Sequence, residues 1–178
     1  MIAIVVAAML LATASPVPAQ PTVPVQPATV PIAGALVRPG AARDAAARGR
    51  LSRESITATD PDKRVSVYEG VRVADVLRDA GASVGDAVRG QVARAYVVVT
   101  ASDRYSVVFS LAELQTAESR CAPIVADTRD GNPLGVDVGP LRIVAPCDLT
   151  HARWVRGVSS LSVVVVPGEP PAAGGMHH

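Results

Sequence analysis

The sequence predicts one strand-rich domain of mixed α and β structure, flanked by extended termini. Three observations carry this reading. Short β-branched runs separated by turn residues recur from about Ser55 to Val166. Only the segment from Val73 to Ala80 has clear helical periodicity. The composition is 49% hydrophobic but holds only three Tyr, one Phe and one Trp in 178 residues, so Val, Leu, Ile and Ala must build the core.

Charge is nearly balanced, with a net charge of +1, so nothing calls for nucleic acid or an anionic membrane as partner. Lys63 is the single lysine among seventeen basic residues. That bias reads either as Arg-based anion recognition or as a GC-rich genome. Residues 1–19 read as a signal peptide. Ile2 to Ala12 has the length of an apolar h-region, and Val17-Pro18-Ala19 offers small residues before Gln20. No Lys or Arg stands near Met1, and an uncleaved anchor is the alternative. Residues 20–40 form a Pro-rich linker. Pro18, Pro21, Pro24 and Pro27 recur every third residue, the polyproline II repeat, which suits a spacer or a docking motif. The expectation is a periplasmic or secreted protein without a transmembrane domain after signal cleavage.

The folded domain is placed at 41–166. Ala33 to Val37 reads as a first short strand. Ala41 to Arg50 is Ala- and Arg-rich and predicts a short exposed helix without a large apolar face. Ser55 to Thr59 is β-prone, Asp60-Pro61-Asp62 is a turn, and Arg64 to Tyr68 alternates as a half-buried strand does. Val73, Val76, Leu77 and Ala80 then make one apolar helical stripe, stopped by Gly81. Residues 82–93 are a loop or a short helix.

Ala95 to Ala101 and Tyr105 to Phe109 are strands joined at Ser102-Asp103-Arg104. A tight two-residue hairpin would want Gly where Arg104 stands, so a longer turn is the alternative. Ser110 and Glu113 form a capping box that starts a short helix. Ile124 to Asp127 is a strand, Asp130-Gly131-Asn132-Pro133 a turn, and Leu141 to Ala145 a further strand. If the last two strands pair antiparallel with Asp127 opposite Leu141, Cys121 falls opposite Cys147 just beyond the ladder. A disulfide is the expectation, with a metal pair or a catalytic thiol as alternatives. Val163 to Val166 is a last strand, and 167–178 reads as a disordered tail.

Four stretches in order carry a resemblance. They are Tyr68-Glu69-Gly70-Val71 leading into Val73–Leu77 and Gly81; Asp103-Arg104-Tyr105 with Phe109-Ser110-Leu111; Asp130-Gly131-Asn132-Pro133-Leu134; and Gly139-Pro140-Leu141-Arg142-Ile143-Val144 with Arg153-Trp154-Val155. Together they resemble the oxidoreductase molybdopterin-binding domain, the sulfite-oxidase-like fold, in a short exported form. The resemblance spans residues 54–166. It implies an α+β fold of mixed β-sheets with short peripheral helices. It also implies a molybdenum–pterin cofactor that moves an oxygen atom or electrons, with one cysteine thiolate on the metal. The segment where that cysteine would stand reads Ser55-Ile56-Thr57-Ala58-Thr59-Asp60-Pro61-Asp62, without Cys. Thr and Asp do not replace a soft thiolate. Residues 1–20 hold no arginine, so the twin-arginine signal of proteins exported folded with their cofactor is not read there.

The candidate cofactor- or anion-binding residues are Arg142, His151 and Arg153. Arg142 interrupts an apolar strand and, if buried, needs an anionic partner: a cofactor phosphate, a substrate oxyanion, or a carboxylate such as Asp137. Arg153 beside Trp154 matches a basic–Trp pair next to the family's cofactor pocket, and is otherwise a surface stack. His151 with Asp148 suits proton transfer, or is simply solvated. No metal-ligand set, nucleophilic triad, phosphate loop or dinucleotide fingerprint is present. The functional expectation is a molybdopterin-dependent oxidoreductase-family domain binding a pterin cofactor or anion near Arg142 and Arg153. The alternative is a cofactor-free binding or scaffold module with a periplasmic partner.

Overall fold

A computed structural model of the chain describes residues 30–34, 42–43, 51–82, 84, 92–116 and 119–167. The signal segment, most of the Pro-rich stretch and the tail from 168 on lie outside the described residues.

Two five-stranded sheets share one core. The first runs β2 (Ala42–Arg43), β1 (Val30–Gly34), β10 (Val158–Val165), β5 (Ala95–Ala101), β6 (Ser106–Ser110). The second runs β3 (Arg53–Thr59), β4 (Val65–Arg72), β7 (Ile124–Arg129), β8 (Asn132–Pro133), with β9 (Arg142–Val144) also paired to β7. Among the described residues helices are few and short, consistent with an α+β fold of mixed sheets.

β1 lies within the stretch read as linker, earlier than the strand expected at 33–37. It pairs in parallel with β10, Ile32 opposite Leu161, and Ile32 is buried. Ala42 and Arg43 are not helical, as the sequence had suggested, but extended against Pro31 and Val30. A short helix with no apolar face has nothing to pack, and an isolated turn of helix is marginal in water. Here β1 offers ladder hydrogen bonds instead. The rest of that expected helix, residue 41 and residues 44–50, lies outside the described residues.

The predicted helix forms as α1 (Val73–Asp79). Val73, Val76, Leu77 and Ala80 are all buried. Gly81 takes φ +97°, and its N–H and that of Ala82 return to the carbonyls of Arg78 and Leu77. The capping box of α2 (Leu111–Thr116) also forms. The Ser110 Oγ accepts from the Glu113 N–H at 3.0 Å, and Glu113 accepts from the Ser110 N–H at 3.2 Å.

The β5–β6 hairpin has the longer turn. Beyond the Thr100–Ser106 pair, the Ala101 N–H donates to the Tyr105 carbonyl at 2.8 Å and closes a three-residue loop, in which Arg104 sits in the left-handed region at φ +72°. A three-residue loop needs a left-handed residue there, and a Cβ makes that conformation unfavourable. Arg104→Gly should therefore raise stability by about 0.5–1 kcal/mol, net of the extra freedom of glycine in the unfolded chain. A urea titration that shows a lower midpoint would refute this and assign Arg104 a stabilising contact of its own.

β7 and β9 pair as Ile124–Val144, Val125–Ile143 and Ala126–Arg142, the register in which Asp127 would face Leu141. Cys121 and Cys147 form the disulfide just beyond that ladder. Neither thiol is free.

Candidate functional site

A cavity of about 520 Å³ opens where turns of both sheets meet. Its wall takes Asp60 from the β3–β4 turn, Tyr105 from the β5–β6 hairpin, Arg129 from β7 and Arg142 from β9. His151, Trp154 and Arg156 come from the segment between β9 and β10.

Arg142 is the central group. Its place in a three-residue strand buried on both faces leaves it only 4% exposed. The guanidinium lies over the rings of Tyr68 and Trp154, 5.5 and 5.2 Å from their centroids. Its Nη1 donates to the Tyr68 hydroxyl at 3.0 Å, while its Nε is buried with no partner. Among the described residues no carboxylate bonds to it, and burial pushes its pKa below the ordinary arginine value. Asp137, considered as a partner from sequence, is exposed and not bonded to it. Arg156 stands opposite in an isolated antiparallel bridge, which sets two cationic side chains on neighbouring positions.

Below Arg142 lies a polar frame that the sequence reading missed. Asp60 is only 2% exposed. Its carboxylate accepts from the Tyr68 hydroxyl, from the Ser66 Oγ at 2.9 Å and from Arg129 Nη2 at 2.5 Å. Burial, with the Asp60 carboxylate beside it, pushes the Tyr68 hydroxyl up to about 12, so it stays protonated and donates. Part of the signal was local. Ser66 and Tyr68 stand two apart on the buried face of β4, where unpaired polar groups are costly.

His151 lines the cavity with its ring packed edge-on against Trp154, centroids 4.5 Å apart. Its Nε2–H donates to the Thr59 carbonyl at 2.7 Å, which leaves Nδ1 as the nitrogen without a protein bond. The Trp154 indole donates to the Ala145 carbonyl at 2.8 Å. Arg142 and His151 are thus brought together.

Arg153 is not part of this wall. Its guanidinium grips Asp148 with two bonds of 2.8 and 2.6 Å, reaches Glu113 at 2.5 Å and covers the Phe109 ring. These carboxylates raise its pKa further. Asp148 is likewise committed to Arg153, so the Asp148–His151 pair is not assembled.

The family model described as the oxidoreductase molybdopterin binding domain matches residues 42–169. The chain belongs to this molybdopterin-binding family. Its fold is also similar to the crystal structure of the sulfane dehydrogenase SoxCD from Paracoccus pantotrophus, with a TM-score of 0.59 at 16% identity over 78% of this chain. The match spans only 39% of that longer chain. No curated protein shows significant similarity.

Family membership brings the molybdenum–pterin group into question residue by residue. Neither cysteine lines the wall, and the two are bonded to each other. Among the described residues no three His, Cys, Asp or Glu side chains cluster as a metal would require. This donor set does not fit protein ligation of molybdenum. The guanidinia do fit an anionic group, since the orphaned Arg142 Nε is a buried donor in want of an acceptor.

Proposed function

We propose that this domain binds an oxyanionic ligand in the cavity through Arg142. Within its family the phosphate-bearing pterin is the first such ligand to consider. The reading rests on one observation: a buried guanidinium that, among the described residues, has no carboxylate partner and an unpartnered Nε, in the wall of a cavity large enough for a small organic molecule. Arg156 adds a second positive charge beside it. The Nδ1 of His151 offers a further polar contact on the same wall. Arg153 contributes indirectly, by fixing the segment that carries His151 and Trp154 against α2.

In this family, bound molybdenum supplies the oxygen-atom or electron transfer. The residues of this chain account for binding and orientation of an anion, and no redox step is assigned to them. A cofactor-free module is the second reading, favoured by the disulfide that removes both thiols. The disulfide also supports export to an oxidising compartment.

Inorganic phosphate tests the proposal directly. Calorimetric titration of the wild-type chain should show binding, and Arg142→Gln should lose about 10–100-fold in affinity, the worth of one charge-assisted donor. Equal binding by both proteins would sink the assignment of Arg142. Assay of the purified chain for molybdenum and for fluorescent pterin then tells which ligand it carries from its host.

A further inference from the structure

Beneath Arg142 lies the buried carboxylate of Asp60. On charge alone, this group should weaken an anion site, since it sits in the same wall with its negative charge. Its bonds tell otherwise. Arg129 and Ser66 saturate one oxygen, so the charge is neutralised locally. The other oxygen takes the single proton of the Tyr68 hydroxyl. A phenol that spends its proton on a carboxylate can only accept at its remaining lone pairs, and acceptance is strengthened by the polarised O–H. The donor facing those lone pairs is Arg142 Nη1, at 3.0 Å. The chain Asp60–Tyr68–Arg142 therefore has one direction throughout.

We propose that Asp60 is a positioning residue for the anion site, acting through Tyr68. It fixes the hydroxyl as an acceptor, which holds one end of the guanidinium and leaves the Nε edge for the ligand. The inference rests on the reading of Arg142 as the anion anchor, and it predicts a sign. Loss of a negative charge should tighten anion binding if Asp60 acts only through space. It should weaken binding if Asp60 acts by orientation, because an amide at position 60 can present N–H to Tyr68 and turn its proton toward Arg142.

The test is phosphate titration of wild type, Asp60→Asn, Tyr68→Phe, the double variant and Arg142→Gln, each checked for its fold by circular dichroism. Asp60→Asn and Tyr68→Phe should each weaken phosphate about tenfold, and the double variant should bind no worse than either single one, as coupled residues do. A general loss of stability would lower the melting temperature but leave the affinity of the folded protein unmoved. Tighter phosphate binding by Asp60→Asn, or unchanged binding by Tyr68→Phe, overturns the proposal while the Arg142 site stands. If Asp60→Asn does not fold, Tyr68→Phe decides alone. If Arg142→Gln binds phosphate as wild type does, the site itself is refuted, and the positioning role with it.

Discussion

Replacing Cys121 and Cys147 together by alanine should lower unfolding stability by about 3.5 kcal/mol, with a melting temperature down by about 10 °C or more. The bond spans 26 residues, and in the chain-entropy account a loop of that length restricts the unfolded ensemble by about that amount. Its location adds to the effect. The β7–β9 ladder has only three residue pairs, and the bridge closes it from just before β7 to just after β9. Arg142 sits at the far end of that ladder. Asp148, which follows Cys147, clamps Arg153 and through it Glu113 of α2. Loss of the bridge should therefore loosen β9 and the segment bearing His151 before the first sheet. Hydrogen exchange should register that order. Equal melting temperatures with and without reductant would mean that the ladder holds itself, and that the bridge constrains a region already fixed by packing.

The β7–β9 register shows what the chain made legible. Two apolar strands around a turn-rich loop admit several registers; one of them sets the two cysteines opposite each other, and β7 and β9 adopt it. Periodicity also sufficed for α1, since all four residues of its stripe are buried. Sequence proximity misled at the site. Arg153 stands beside the only Trp, yet a guanidinium with two carboxylates in reach is drawn to them and away from the cavity. Asp60 read as a turn residue because turn composition says nothing of burial. Its role depends on Ser66, Tyr68 and Arg129, and Arg129 lies on a strand far along the chain. Only the β4–β7 pairing places it there, and that pairing carries a register shift between Glu69 and Gly70 that alternation cannot foresee. The Arg142–Tyr68 contact is hidden for the same reason.

That register shift leads to the second large effect. Gly70→Ala should destabilise the domain by about 3 kcal/mol or more, among the larger costs of a one-carbon change. Gly70 faces Ala126 where β7 accommodates one extra residue, and the bulged backbone crowds the position. A Cβ there would lie 2.1 Å from the Val125 carbonyl oxygen and 2.6 Å from the Ala126 Cα. Both are backbone atoms held by ladders on either side, so no side chain can swing away. β4 and β7 would have to part, with Tyr68 on one and the partner strand of Arg142 on the other. Gly131 supplies the control. It is glycine for its φ of +75°, and an added Cβ would meet nothing within 4 Å. Gly131→Ala should therefore cost only about 1 kcal/mol, the conformational penalty alone. Urea midpoints for the two variants separate steric from conformational need. Similar modest losses for both would show that β4 and β7 can move apart cheaply, and that Gly70 is not what lets them approach.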